Sequence, residues 1–281
     1  MKCGVPGVEE AETSDPRFGG LRRLLGPEAV VRLSRARVAV VGLGGVGSWA
    51  VEALARSAVG SLVLVDLDEV CLTNFNRQLP AVEGQVGRFK AEALAERVRS
   101  IHTACEVRPR IEFFTEATEA AFFSEPLDGV VDAIDAVGNK ARLIAGARAR
   151  GIPIVACGAA GGRRESTAVR ISDLADVTHD RLLGAVRKRL RAEHGFPAAG
   201  RRTGVACVHS PEIPVSPSEM AGACAPDLEC AGEGGGEEPA RPLRLGCEWG
   251  YGSAVFVTAA FGLAAAGWMV NRLAGDGPRA G

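Results

Sequence analysis

The chain has 281 residues, 33 basic and 34 acidic side chains and a formal net charge of -1. That length allows one large α/β domain or two small ones with a sizeable core. The charge balance gives no global argument for or against nucleic acid. Cys3, Cys71, Cys105, Cys157, Cys207, Cys224, Cys230 and Cys247 form no C-x-x-C pair, so zinc-ribbon spacing is absent. The polar, acidic N-terminus lacks a signal-peptide pattern, and the thiols are expected to be reduced and cytoplasmic. A Cys224–Cys230 pairing is open but nothing demands it. Arginine far outnumbers lysine, which occurs only at Lys2, Lys90, Lys140 and Lys188. An internal lysine is therefore a candidate for a specific task.

Residues 1–16 read as a polar tail, and 16–33 as helical with Pro27 opening a second part. From Val38 a β-branched run ends in Gly42-Leu43-Gly44-Gly45-Val46-Gly47, and an alanine-rich helix follows over 49–57. This is the strand, glycine turn and helix start that hold a nucleotide phosphate. Gly42 permits the turn, Gly44 lets phosphate approach the backbone, and Gly47 lets the helix pack against the strand. A strand over 61–65 ends at Asp66, about 20 residues on, where an acid bonds ribose hydroxyls. The turn alone does not separate a dinucleotide from ATP.

A polar crossover follows, from Asp68 through Asn74, Asn76, Arg77 and Gln78. The spacing then predicts a helix over 89–101, a strand over 106–112, a helix over 118–123 and a strand over 129–134 that carries Asp132 and runs into Asp135. A helix over 140–150 and a strand over 152–156 complete a unit spanning 17–162. Alternating strands and helices imply an α/β, Rossmann-like, mostly parallel sheet with helices on both faces. Its ligands gather at the carboxyl ends of the strands, with Asp66 and Asp135 on that rim.

Residues 163–274 read as an extension of the same globular unit that serves substrate and dimer contacts, and 275–281 as a tail. It has a strand over 167–171 and a helix over 180–193 whose basic face carries Arg181, Arg187, Lys188, Arg189 and Arg191. That face could contact RNA phosphates or be a solvated surface. Residues 198–242 are rich in Gly, Pro, Ser and Glu, and 232–239 are expected to be a mobile loop. Residues 252–270 carry no charge and are about long enough to span a bilayer. Their Ala and Gly content favours a helix under the sheet or at a dimer interface, so membrane insertion is not expected. His102, His179, His194 and His209 lack metal-ligand spacing, and His209 is a candidate substrate neighbour.

The G-x-G-G-x-G-S turn, Asp66-Leu67-Asp68, Asn74-Phe75-Asn76-Arg77-Gln78, the lysine after Val86-Gly87 (Lys90) and Asp132-Ala133-Ile134-Asp135 occur in the order seen in the ubiquitin-activating-enzyme-like adenylyltransferases. The chain resembles that family. Arg17-Phe18-Gly19-Gly20, Arg23, Ile171-Ser172-Asp173-Leu174 and the segment from Gly204 through His209 to Glu212 resemble its tRNA threonylcarbamoyladenosine dehydratase branch, and the likeness covers 17–273. The resemblance implies ATP with Mg2+, held by Gly42, Gly44, Gly45, Gly47, Asp66, Asp68, Asn74, Arg77 and Lys90, with Asp135 on the metal. It implies catalytic roles for Arg77, Lys90, Asp135 and, reaching into a partner subunit, Arg23, since Gly20 stands where relatives carry an arginine. It implies adenylation of the threonyl carboxylate of a modified tRNA, then ring closure by the neighbouring carbamoyl group. That tethered nucleophile makes an enzyme nucleophile unnecessary. A homodimer and tRNA contacts from Arg187, Lys188, Arg189 and His209 go with it, and Cys247 is a candidate contact for a cysteine desulfurase or other sulfur-transfer partner. The carrier-protein activators of the family usually have two zinc-binding C-x-x-C pairs, and this chain has neither, so no zinc is expected. The alternatives are activation of a ubiquitin-like sulfur carrier, an NAD-binding redox enzyme or nucleotide sensor, and a catalytically silent tRNA-binding scaffold.

Overall fold

The computed structural model describes residues 15–215 and 251–275. The tails at 1–14 and 276–281, the expected mobile loop at 232–239, and Cys224, Cys230 and Cys247 lie outside the described residues. The strands are Arg37–Val41 (β1), Ser61–Val65 (β2), Glu106–Arg110 (β3), Gly129–Asp132 (β4), Ile154–Cys157 (β5), Arg170–Asp173 (β6) and Ala206–His209 (β7). They form one sheet in the order β3-β2-β1-β4-β5-β7-β6. Every neighbouring pair is parallel except β6, which runs antiparallel to β7. From β1 the chain winds outward through β2 and β3, and from β4 through β5 in the opposite direction. The switch point falls between the carboxyl ends of β1 and β4, where ligands bind in sheets of this kind.

The helices are Gly19–Leu25 (α1), Pro27–Arg35 (α2), Gly47–Arg56 (α3), Lys90–Ile101 (α4), Glu116–Phe122 (α5), Val137–Ala149 (α6), Arg181–Glu193 (α7) and Val255–Ala274 (α8). Alternate strand residues serve opposite faces. Val38, Val40, Leu62, Leu64, Val131 and Val155 pack with α3, α4 and α8, whereas Ala39, Val41, Val63, Val130, Ile154 and Ala156 pack with α6, α7 and the Phe114–Phe122 region. Helix α8 is long and apolar enough to cross a membrane by length and composition, but one side of it is core: Val257, Phe261, Ala265 and Met269 are fully buried. It lies hard against α3, because a Cβ on Gly262 would stand 2.3 Å from the Val46 carbonyl oxygen. Arg32 hydrogen-bonds the Ala274 carbonyl at the far end of α8. Thus α8 spans the molecule from the rim to the base of the sheet.

Most expected elements are present, with shifted ends. Helices α3 and α6 begin earlier than the patterns suggest, directly after the rim loops. Strand β4 stops at Asp132 because its carboxylate accepts the Ile134 N–H at 3.1 Å and turns the chain. The strand expected over 167–171 is a 3-10 turn at Ser166–Ala168 followed by β6. Strand β7 lies inside the stretch read as loop-rich. Its entry is fixed by buried Asp173, which accepts Thr203 N–H at 2.9 Å, Thr203 Oγ1–H at 2.7 Å and Gly204 N–H at 2.7 Å. Burial alone would raise the Asp173 carboxyl, but these donors and the Ala175 N–H hold it below the usual range.

A depressed carboxylate contributes stability that is complete above its unfolded pKa of about 3.9 and is lost as pH falls through the lower folded value. Asp173→Asn is therefore expected to lower stability at pH 7 by about 2 kcal/mol, the scale of hydrogen bonds to a charged acceptor. Its deficit against the parent should shrink at pH 3. Urea unfolding at both pH values checks this, and a deficit independent of pH contradicts it.

Candidate functional site

The glycine turn sits at the switch point. Gly42 has φ +87°, a conformation that L side chains rarely adopt, and its N–H donates to the Val65 carbonyl at 3.0 Å. A Cβ on Gly47 would stand 1.8 Å from the Gly42 carbonyl oxygen, so only glycine lets α3 start on top of the turn. The first-turn N–H groups and the positive end of α3 thereby point at the crevice. The Asp132–Asp135 loop closes the other side. Ala133 N–H donates to Val41 at 2.8 Å, and a Cβ on Gly42 would meet the Ala133 carbonyl at 2.7 Å.

Asp66 ends β2 and is buried. Its two oxygens accept the Leu43 N–H at 2.6 Å and the Asp68 N–H at 2.9 Å, tying the glycine turn to the crossover. Burial pushes its carboxyl above the usual range, against the pull of Lys90 and of these two donors. Lys90 opens α4 with its side chain 6 % exposed, and its Nζ bonds Asp68 Oδ2 at 2.9 Å. Lys90 is thus not a solvated surface lysine. It sits beneath the crossover, with Asp68 between it and solvent.

Arg77 lies across the turn. A Cβ on Gly45 would come within 3.4 Å of Arg77 Cγ, and the guanidinium bonds the Thr73 carbonyl at 2.6 Å and Asn76 Oδ1 at 2.9 Å. The Arg77 carbonyl accepts the Trp49 indole N–H at 3.0 Å, so its backbone is fixed to α3. Asn76 Nδ2 donates to the Ser253 carbonyl at 2.7 Å, which joins the crossover to the start of α8. Gln78 lies beside Gly44, and its buried Oε1 has no partner among the described residues. Asn74 faces its own loop, where its Oδ1 accepts the Cys71 N–H at 3.1 Å and caps the Leu72–Asn74 turn. Its side chain thus holds the loop rather than reaching out of it.

Asp135 stands exposed between β4 and α6, with no hydrogen bond or ion pair among the described residues. It is the one candidate acid on this rim whose carboxylate is unengaged. Behind it lies a pair absent from the expected site: Lys140 and Asp132 are both fully buried and 3.1 Å apart. The scarcity of lysine is the sequence signal that pointed to Lys140.

Other candidates lie elsewhere. Arg23 is exposed on α1, which packs against α2 at the base of the sheet, so a single chain does not bring it to the glycine turn. Arg187 is not a free phosphate ligand, because its Nη1 donates to the Leu174, Ala175 and Val177 carbonyls at 2.9, 3.1 and 3.0 Å. Arg189 pairs with Glu193 at 2.8 Å, while Lys188 and Arg181 are exposed. His209 is buried within the sheet edge, with Nε2 3.0 Å from Ser172 Oγ. Burial lowers its pKa, which suits a neutral structural imidazole rather than a substrate contact. Burial also pushes the Cys157 thiol up to about 12 and Cys207 well above the ordinary thiol range, so neither is a thiolate nucleophile near neutral pH. A concavity of about 570 Å³ lies at the other end of α6, lined by Arg142, Arg148, Arg150, His194 and Phe196. It contains none of the rim residues.

The sequence profile of the ThiF family matches residues 20–279. The chain is 40% identical over 266 residues to the tRNA threonylcarbamoyladenosine dehydratase of Escherichia coli, covering 94% of this chain and 96% of that protein. It superposes on the crystal structure of the E. coli tRNA N6-threonylcarbamoyladenosine dehydratase in complex with ATP with TM-score 0.79 and 38% identity, covering 94% and 96% of the two chains. The AMP complex of that enzyme gives TM-score 0.78 at 38% identity, covering 92% and 93%.

Alanine is normally the better helix former by about 1 kcal/mol. At Gly47 the sign reverses, because the new Cβ overlaps a carbonyl oxygen that cannot retreat from the sheet. Gly47→Ala is expected to lose about 1–3 kcal/mol, the scale of overpacking. Chemical denaturation of the two proteins checks this, and a variant as stable as its parent contradicts it.

Proposed function

The chain belongs to the ThiF family, and from that premise we propose that it is an ATP-dependent dehydratase that closes a ring on N6-threonylcarbamoyladenosine in the anticodon loop of tRNA. The observation that carries this reading is the rim itself. An exposed, unengaged carboxylate, Asp135, follows a loop seated on a glycine turn that excludes side chains, and the crossover beside that turn bears Arg77 with Lys90 beneath it. The match to dehydratases extends over nearly the whole chain. A redox enzyme would use the turn and Asp66 but leave Arg77, Lys90 and Asp135 without a task.

The crevice fits ATP. Gly44 leaves room for phosphate against the backbone, Gly42 and Gly47 let the 132–134 loop and α3 pack in beside it, and the α3 N-terminus supplies donors. Asp66 keeps a lone pair on each oxygen for the ribose hydroxyls, and Asn74 with Asp68 holds the loop alongside. Asp135 is the residue that would hold Mg2+, which suits an oxygen ligand with no competing partner. Bound there, the ion would neutralise phosphate charge.

The threonyl carboxylate attacks the α-phosphorus of ATP, and pyrophosphate leaves. Attack of one anion on another needs positive charge around the phosphates, which Arg77 and Lys90 provide. The carbamoyl group of the same side chain then attacks the activated carboxyl carbon, a proton is released and AMP departs. The net change in the nucleoside is loss of one water. Tethering provides the effective concentration that makes a protein nucleophile unnecessary.

We propose that the chain acts in the cytoplasm as a homodimer. The outward side of α8 exposes Phe256, Leu263 and Gly267, and exposed Leu72 and Phe75 lie in the crossover joined to its start. A second copy covering this apolar surface could bring Arg23 to the partner's nucleotide. Residues 163–274 would then serve the dimer and the tRNA, with Lys188, Arg189 and Arg181 as phosphate contacts. Cys247, the candidate contact for a sulfur-transfer partner, lies outside the described residues.

Exchange of labelled pyrophosphate into ATP tests the reading, with threonylcarbamoylated tRNA or a carrier protein ending in Gly-Gly as acceptor. Stimulation by the tRNA alone is expected. Stimulation by the carrier alone would establish the other branch of the family. Asp135→Ala and Lys90→Ala are each expected to reduce exchange by about 10²–10³-fold, the scale of losing one preorganised charge contact. A wild-type rate from either would remove that residue from the site.

A further inference from the structure

Lys140 has no solvent exposure, and it is one of only four lysines in a chain that mostly uses arginine. Its Nζ donates to the Ile134 carbonyl at 3.0 Å and the Asp132 carbonyl at 3.2 Å, and stands 3.1 Å from Asp132 Oδ1. All three ammonium N–H directions are therefore spent on one short loop. Asp132 Oδ1 also accepts the Ile134 N–H, while its buried Oδ2 has no partner among the described residues. The same loop is seated on the glycine turn through Ala133, whose N–H bonds Val41 and whose carbonyl fills the place of a Gly42 side chain. Asp135 is the next residue after Ile134.

A sealed ion pair is a poor device for stability, because desolvation offsets most of the attraction and apolar replacements often match it. Such a pair does fix one backbone path, since any other would strand a charge away from water. We infer that Lys140 is a positioning residue: it clamps the 132–134 backbone and so sets where the Asp135 carboxylate stands relative to the glycine turn. This rests on the reading of Asp135 as the acid that meets Mg2+ and the phosphates.

The test is titration calorimetry of ATP, with and without Mg2+, on the full chain. Lys140→Met alone would leave Asp132 buried and uncompensated, so the informative variant is Asp132→Asn/Lys140→Met. It removes the pair but keeps an Oδ1 acceptor for the Ile134 N–H. Circular dichroism and a melting curve establish that it is folded. Asp135→Ala is expected to lose the gain in ATP affinity that Mg2+ confers. The double variant is expected to lose it too, with Mg2+-free affinity unchanged and kcat down about 10²-fold, the scale of a 1 Å misplacement. A merely structural pair would not separate the two affinities. If Asp135→Ala loses the Mg2+ gain and the double variant keeps it, the positioning role is overturned and Asp135 keeps its assignment. If Asp135→Ala keeps the gain, that assignment falls, and the positioning role with it. Loss of Mg2+-free binding in the double variant also overturns the inference, because the damage then extends beyond Asp135.

Discussion

The contact between Gly47 and the Gly42 carbonyl is the constraint on which the rest of the structure depends. With no room for a methyl group between them, α3 begins on the turn itself rather than after a connecting loop. Its N-terminus therefore opens at the switch point between β1 and β4. Three other pieces of chain close on the same few residues. The 132–134 backbone covers Gly42, the Arg77 side chain crosses Gly45, and α8 meets the Val46 carbonyl through Gly262. The approaches at Gly42 and Gly262 need the absence of a Cβ, while the Arg77 side chain passes Gly45 at contact distance. The turn is thus packed in by neighbouring chain, with the α3 N–H donors left at its opening.

Around this frame the chain places two lysine–aspartate pairs with different fates. Lys90–Asp68 is buried on the lysine side and half-open on the aspartate side. Lys140–Asp132 is sealed at both ends. The first is suited to chemistry and the second to geometry. Neither lysine holds Asp135.

Much of this was legible in the sequence where local rules govern. The β-branched run into three spaced glycines, the acid ending β2, and the alternation of strands and helices follow from backbone sterics and periodicity, and they placed Gly42, Asp66 and Asp135 on one rim. What failed depended on distant partners. Strand β7 is four residues in a stretch rich in Gly, Pro, Ser and Glu. It is a strand because β5 and β6 pair with it and Asp173 anchors its entry. Arg187 looks like its basic neighbours on α7, but only the fold reveals three carbonyls beneath it. His209 shares a motif-bearing segment and is nonetheless walled in by Ser172 and the sheet edge. Arg23 lies far from the turn within one chain, and sequence carries no signal of what a second copy would bring near it.

If this rim couples ATP to removal of water from a modified tRNA, mass spectrometry will read the coupling from nucleosides released under mild conditions from threonylcarbamoylated tRNA after incubation with the protein, Mg2+ and ATP. The expected product is a nucleoside lighter by one water, formed only with ATP and matched by AMP. Unchanged tRNA in the presence of folded, ATP-binding protein would contradict the coupling.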